Sequence, residues 1–177
     1  MRARRTIGFV LAFFLGVLGH AVFAQRRPAF SPDIFAGKEP KAAGSAMLDV
    51  ALQLAEDGSW ERIAVGRVWY LSGEKLRGQQ MFDEVTSNRK VQASDWFRVG
   101  RVYAEAGEWT KAESAFDRAL GMDPGDDSGM IEYGALANIN KDRGKAEALF
   151  TKALTKKPRE FWHWVGAGGS YLGVRPQ

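Results

Sequence analysis

Apolar residues recur at helical spacing along most of the chain, and short polar breaks separate the helical segments. Between residues 44 and 56, for example, Met47, Leu48, Ala51 and Leu52 lie close in register, as on one face of a helix. Gly107 interrupts a later apolar stretch as a turn signal. The pattern predicts an all-α fold with helices at about 44–56, 59–72, 75–87, 94–106, 109–121, 127–140, 143–156 and 159–172.

The apolar pattern repeats with a period of about 34 residues, a length typical of stacked helical units. Residues 93–126 and 127–160 share five residue types in register, namely Gly100 with Gly134, Ala112 with Ala146, Phe116 with Phe150, Ala119 with Ala153, and Pro124 with Pro158. A weaker copy covers 59–92, and a fourth begins at 161–172, where Trp164, Gly168 and Tyr171 match Trp96, Gly100 and Tyr103. Units of this kind bury their apolar faces against their neighbours.

The repeat resembles the tetratricopeptide repeat family. The matching residues read W-x2-[LV]-G-x2-Y, followed by a small residue, an aromatic residue, a second small residue and a proline. The resemblance implies a tetratricopeptide-like α-solenoid of about three helix-turn-helix repeats, with an additional N-terminal helix and a C-terminal capping helix. It also implies that a partner protein or peptide binds in a concave groove. On this basis Trp96, Tyr103 and Phe116 should be buried between helices.

The N-terminus has the features of a targeting segment. Three arginines precede the apolar run Ile7–Leu18, and Ala21–Ala24 ends in small residues suited to signal peptidase. We predict a signal peptide at 1–24 and a mature start at Gln25. The alternative is an uncleaved inner-membrane signal anchor, since the apolar stretch Ile7–Phe23 is near the short limit for a membrane span.

The remaining chain divides into a linker, a repeat domain and a short tail. Pro28, Pro32 and Pro40 indicate a flexible linker at 25–42. Ala51 and Leu52 lie two repeat lengths before Ala119 and Leu120, so the helix that contains them looks like the second helix of a repeat. The predicted domain is 43–173, with repeats at about 59–92, 93–126 and 127–160, a terminal helix at 161–172 and a tail at 174–177.

Charge and composition exclude several classes of function. The chain has 25 basic and 21 acidic residues, but three arginines belong to the predicted signal peptide, which leaves 22 basic and 21 acidic residues. That balance does not favour a nucleic-acid partner. The chain has no cysteine, which excludes disulfides, thiol nucleophiles and cysteine–zinc sites. His163 is the single histidine after residue 24, and we interpret it as a packing residue; no catalytic, metal or cofactor site is predicted.

The family resemblance places the first helix of each pair on the inner wall of the groove. Ile63, Phe97, Ile131 and Val165 recur there once in every repeat and should form an apolar row, and two arginines share the same spacing. This arrangement suits a peptide with an acidic group or a free carboxylate. Alternatively, the apolar residues belong to the core and the arginines are solvated. The predicted partner-binding residues are Trp60, Ile63, Arg67, Phe97, Arg101, Ile131, Asn138 and Trp162.

These observations predict a non-enzymatic protein–protein interaction module of the bacterial cell envelope, exported to the periplasm or secreted. The bacterial assignment rests on the style of the signal segment. The alternative is a structural or oligomerising subunit of an envelope secretion or pilus assembly machine. The apolar run Phe161–Val165 supports that alternative, because it suggests self-association through the C-terminal helix.

Overall fold

A computed structural model describes residues 30–176 and shows an all-helical chain, as the sequence predicts. Within these residues there are eight α-helices and no strand. A short 3-10 helix, Pro32–Ile34, precedes the first α-helix. The α-helices are α1 (Pro40–Ala55), α2 (Ser59–Leu71), α3 (Lys75–Thr86), α4 (Ala93–Glu105), α5 (Trp109–Met122), α6 (Asp127–Ile139), α7 (Arg143–Lys156) and α8 (Phe161–Tyr171).

Three helical hairpins, α2–α3, α4–α5 and α6–α7, form the body of the solenoid. Each brings a glycine of the first helix against an aromatic ring of the second. A Cβ atom at Gly100 would lie 2.6 Å from the Phe116 ring, and one at Gly134 would lie 2.7 Å from the Phe150 ring. Because real Cβ atoms do not approach that closely, the repeated glycine sets the distance between the helices of a hairpin.

The turns within the hairpins use left-handed backbone positions. Gly73 and Gly107 have φ values of 97° and 75°, which glycine adopts without steric cost. In the third hairpin Lys141 occupies this region, with φ of 71°, and the Asp142 side chain caps α7 by accepting a hydrogen bond from the Lys145 amide. Gly144 follows this turn and lies inside α7.

Aliphatic and aromatic side chains together form one core through the hairpins. The Tyr70 and Tyr103 rings are 5.6 Å apart, and the Phe116 and Tyr133 rings are 5.0 Å apart. Tyr103 and Phe116 are buried as expected. The expectation of a largely buried Trp96 is wrong: this side chain packs at the edge of the core and is only partly buried, because its ring reaches the surface beside the Arg118 guanidinium, 5.7 Å away.

The first helix, α1, lies in the same position in the stack as the second helices. Lys41 of α1 pairs with Glu74 at 2.8 Å, and the equivalent residues of the next repeat, Lys75 and Glu108, pair at 2.5 Å. The helix begins at Pro40, four residues earlier than predicted, because proline fits the first turn of a helix. The predicted linker at 25–42 therefore overlaps α1 by three residues.

The last helix, α8, lies in the position of a first helix. The Tyr171 hydroxyl donates to Glu147 at 3.3 Å, and the Tyr103 hydroxyl donates to Gln79 at 3.0 Å; the two contacts have the same sequence separation. The predicted signal peptide and mature start lie outside the described residues. Within residues 30–176, no helix has the length and apolar character needed to cross a membrane.

Candidate functional site

Two adjacent cavities lie along the first helices of the repeats. The larger, of about 620 Å³, lies between α6, α8 and residues 174–176, and the smaller, of about 170 Å³, lies between α4 and α6. Both are lined by Ser128 and Glu132, and we refer to them together as the first-helix cleft. The other lining residues used below are Phe97, Arg101, Ile131, Trp162, Val165, Gly166, Val174 and Arg175.

Close packing of α8 on α6 shapes the larger cavity. A Cβ atom at Gly166 would lie 2.8 Å from Cγ2 of Ile131, so glycine is needed where the two helices approach. Further along, the Asn138 amide donates to the Ser170 hydroxyl at 3.0 Å. Asn138 is therefore a partly buried link between helices, and its amide is already engaged with α8.

Exposed apolar side chains line the outer part of the larger cavity. Trp162 is 70% exposed, Val165 is 45% exposed, and Val174 lines the same cavity from the C-terminal segment. Ile131 is buried beneath them. A single exposed apolar residue is ordinary, but several around one cavity form a surface that a partner can cover.

The apolar row expected from the sequence is divided by the structure. Ile63, Phe97 and Ile131 are each at most 5% exposed and belong to the core, whereas Val165 is open to solvent. The burial of these three side chains therefore agrees with the alternative interpretation, in which they are core residues. Phe97 and Ile131 still border the cleft, but mainly as its packed base.

The two stacked arginines already have acidic partners within the chain. Arg67 on α2 donates two hydrogen bonds to Glu105 on α4, at 2.8 and 2.5 Å. Arg101 on α4 donates two to Glu132 on α6. The hydrogen bond with Glu132 is the main cause that raises the pKa of Arg101. The positive charge that the sequence assigned to an acidic ligand is thus balanced from the next repeat.

Trp60 lies at the other end of the row of first helices. Its side chain is exposed and lies 5.5 Å from the Arg98 guanidinium. It does not line either cavity of the first-helix cleft. The structure therefore brings together Phe97, Arg101, Ile131 and Trp162 of the predicted binding residues, and leaves Trp60, Ile63, Arg67 and Asn138 outside the cavities.

A buried carboxylate at the start of α6 was not identified from the sequence as a charge centre. Asp127 is 5% exposed and is contacted by Lys156 at 3.0 Å, Lys157 at 2.9 Å and His163 Nε2 at 3.3 Å. The Lys157 ammonium beside the carboxylate is the largest cause that lowers the pKa of Asp127 to about 2, against the opposing effect of burial. Asp126 caps the same helix by accepting a hydrogen bond from the Gly129 amide.

A third cavity, of about 530 Å³, lies beside α2, α3 and the start of α4. Its lining is mainly polar and includes the Arg62–Glu84 ion pair, with a separation of 2.6 Å. Asp95 at its edge accepts a hydrogen bond from the Ser59 hydroxyl. No group of three or more side chains that could hold a metal ion occurs in residues 30–176.

The tail and the acidic partners of the two arginines were missed by the sequence analysis. Val174 and Arg175 line the larger cavity although they follow the last predicted helix. Glu105 and Glu132 fall between the repeat-signature positions, so the repeat pattern gave no reason to pair them with arginines. A search for acidic residues on the first helix of the next repeat would have suggested both pairs.

Comparison with known protein families gives one match. A family model described as a tetratricopeptide repeat matches residues 72–127 and, overlapping them, residues 97–161. Together the two matches span more than half of the chain. No curated protein and no solved structure gave a significant match to the chain.

Proposed function

Because the chain belongs to the tetratricopeptide repeat family, we propose that it holds a partner protein or peptide in a concave groove formed by the first-helix cleft. Repeats of this family generally mediate protein–protein interactions and are typically non-catalytic. Stacked helical repeats provide extended concave surfaces for such binding. The observation that carries the proposal is the exposed Trp162 beside Val165 and Val174 in the larger cavity.

Trp162 is the proposed anchor for the partner. Binding energy at protein interfaces is concentrated in a few large side chains, and tryptophan is enriched among them. Because Trp162 is 70% exposed, a partner that covers it removes a large apolar surface from water. The proposed ligand is therefore a peptide or protein segment with an apolar residue that packs on this indole.

The charged groups of the cleft are expected to orient a bound partner more than they attract it. Arg101 and Glu132 neutralise each other along one side, and Arg175 lies near the other end. A polar edge around an apolar centre is the usual anatomy of a protein interface. This proposal replaces the acidic-ligand interpretation with an apolar one, because the arginine pair already has carboxylate partners.

The proposed location is the bacterial cell envelope, after export directed by residues 1–24. Its support is the arginine-rich start, the apolar run and the small residues before Gln25. Mass spectrometry of the native product tests it directly. A mature protein that begins at Gln25 supports export with cleavage, and an intact Met1 in a membrane fraction supports the signal anchor instead.

A capture experiment tests the binding proposal. The chain, the variant Trp162→Ala and the control variant Leu76→Ala are used as bait for an envelope extract. Leu76 is exposed on α3 and lines neither cavity of the cleft. We expect the chain and the control to retain the same partner and Trp162→Ala to lose about tenfold or more in retention. Equal retention by all three would contradict the assignment of the cleft.

A second candidate function is a structural or oligomerising subunit of an envelope secretion or pilus assembly machine. Apolar side chains of α8 that lie outside the cleft favour it, with Trp164 and Tyr171 about half exposed. Light scattering of the purified chain across a dilution series separates the two candidates: an oligomer that persists on dilution favours the subunit role, and a chain that is monomeric at low concentration favours partner capture.

A further inference from the structure

The two end helices carry the packing faces of a hairpin but have no hairpin partner among residues 30–176. In α1, Gly44, Leu48 and Ala51 lie one repeat length before Gly78, Phe82 and Val85 of α3. The three α3 residues are buried against α2. Their equivalents in α1 are all partly exposed. Thus α1 has the inward face of a second helix, and no first helix covers it in the described residues.

In α8 the face of a first helix is open in the same way. Trp164, Gly168 and Tyr171 occupy the positions of Trp96, Gly100 and Tyr103 in α4. Trp164 is 55% exposed and Tyr171 is 49% exposed, whereas Tyr103 is 7% exposed against its neighbours. Among the described residues, none forms a second helix that pairs with α8.

The glycines show most directly that no described residue covers either face. In the complete hairpins, a Cβ at Gly100 would meet the Phe116 ring at 2.6 Å, and a Cβ at Gly78 would meet the Gly66 carbonyl oxygen at 2.6 Å. At the equivalent Gly168 and Gly44, no atom lies within 4 Å of the added Cβ. The end helices keep the small residues that close helix approach requires, yet no helix approaches them.

We propose that the helix that covers α8 is α1 of a second copy of this chain, so that copies join head to tail. The pair would form a fourth hairpin, with Gly168 against Gly44 of the second copy as Gly66 lies against Gly78. Both α1 and α8 already have the orientation of stacked repeat helices, since the Lys41–Glu74 and Tyr171–Glu147 contacts are equivalent to contacts within the complete hairpins. A contact between two different faces leaves one face free at each end, so the assembly can extend.

Charges across the proposed joint are complementary. Within the chain, a basic residue at the start of a second helix pairs with the acidic residue just before the second helix of the next repeat. Lys75 at the start of α3 pairs in this way with Glu108 before α5. Across the joint the corresponding base is Arg143, at the start of α7. Glu39 precedes α1 of the second copy, one residue before the equivalent position. This pairing would replace the exposed contact of Arg143 with Glu147.

A second ion pair within the chain has only neutral residues at the equivalent positions of the joint, so no charges repel each other there. Arg77 on α3 pairs with Asp49 on α1 at 2.5 Å. The positions equivalent to these two across the joint are Ala43 of the second copy and Thr151. Both are neutral, so the joint lacks one ion pair but contains no unpaired charge at that place.

The size of the joint predicts reversible association. One helix face on each side is a small interface, near or below the lower limit of about 1,200 Å² for stable complexes. We therefore expect association that rises with protein concentration. The joint uses the α1 and α8 faces and not the first-helix cleft, so failure of this proposal leaves the partner-capture proposal standing, and the reverse also holds.

Sedimentation velocity with end-blocked variants tests the joint. Gly168→Arg blocks the α8 face and Gly44→Arg blocks the α1 face, and both positions are open in the single chain. Gly121→Arg is the matched control, because Gly121 is also open but lies on neither face. We expect the chain and the control to associate with increasing concentration, and each blocked variant to remain monomeric with unchanged helix content.

Mixing the two blocked variants is the decisive step. Gly44→Arg retains an open α8 and Gly168→Arg retains an open α1, so an equimolar mixture should form dimers that do not extend further. Monomeric behaviour of the unaltered chain at every concentration would overturn the proposal without use of any variant. Association of Gly44→Arg alone would also overturn it and would indicate symmetric contact between two α8 helices. A mixture that stays monomeric would overturn it as well.

Discussion

The Arg101 guanidinium donates two hydrogen bonds to the Glu132 carboxylate and so joins α4 to α6 along the first-helix cleft. Arg67 and Glu105 form the corresponding link between α2 and α4. Both arginines are about half exposed. Reversal of either charge therefore has a structural cost as well as an effect on any ligand, which the sequence alone did not indicate.

The first prediction uses this ion pair. Arg101→Glu places two carboxylates together and should lower the free energy of unfolding by about 1 kcal/mol, the scale of a partly exposed pair. The double variant Arg101→Glu with Glu132→Arg restores opposite charges and should recover most of that loss. Urea unfolding midpoints measure both. Equal midpoints for the single and double variants would show that the pair contributes nothing.

The second prediction compares two glycines at equivalent positions of different repeats. Gly100→Ala forces a Cβ against Phe116 and should destabilise the chain by about 1–3 kcal/mol. Gly168→Ala meets open space and should stabilise α8 by about 0.5–1 kcal/mol, through helix propensity. Thermal melts at low protein concentration measure both. A loss of stability at Gly168 as large as that at Gly100 would contradict the open α8 face.

The third prediction separates two aromatic positions of one repeat. Phe116 is fully buried, so Phe116→Ala should cost about 3–5 kcal/mol through lost burial and a cavity. Trp96 is only partly buried, and Trp96→Ala should cost roughly half of that. Chemical unfolding of the two variants gives the comparison. A Trp96 loss as large as the Phe116 loss would show that the indole is more deeply packed than the structure has it.

The fourth prediction concerns acid stability at Asp127. Its pKa is about 2 in the fold and 3.8 for an ordinary aspartate, so the unfolded chain binds the proton more readily. The stabilisation is present above pH 3.8 and is lost as the pH falls towards 2. At about 1.4 kcal/mol per pKa unit, the difference between 3.8 and about 2 amounts to about 2.5 kcal/mol.

Asp127→Asn isolates that contribution. The variant removes the charge that faces Lys156, Lys157 and His163, and should cost about 1–3 kcal/mol at neutral pH. Its stability should then fall less steeply between pH 4 and 2. Some acid dependence will remain, because Glu108 also has its pKa lowered to about 2, first by Lys111. Unfolding measured across this pH range tests the difference, and identical slopes would contradict it.

The fold was predictable because packing repeats at fixed spacing. Gly100, Ala112 and Phe116 report helix contacts within one hairpin, and the same residue types recur one repeat later. The burial of Trp96 was mispredicted because a repeated spacing identifies the helix face of a residue but not how deeply it is buried. The Trp96 ring instead contacts the Arg118 guanidinium at the surface. The observed helix bounds differ from the predicted ones where a single residue determines the end of a helix, as Pro40 does at the start of α1.

The candidate site was less predictable from the sequence. Ile63, Phe97, Ile131 and Val165 hold equivalent positions on successive first helices. Packing between helices covers the first three and leaves Val165 exposed. The pairing of Arg101 with Glu132 depends on the offset between neighbouring helices, which no periodicity within one helix encodes. Trp162 lies in the lining of the cleft, and its predicted role in binding stays a prediction.

The most direct measurement of the central claim is site-specific photo-crosslinking in the native cell. A photoreactive phenylalanine analogue is placed at Trp162 in one variant and at Leu76 in the other, and the adducts are identified by mass spectrometry. The account predicts a heterologous protein adduct from position 162 and none from position 76, with the adduct mapping to an apolar segment of the partner. The absence of any heterologous adduct at 162, or an equal yield of the same adduct from 76, would contradict a partner-binding role for the first-helix cleft.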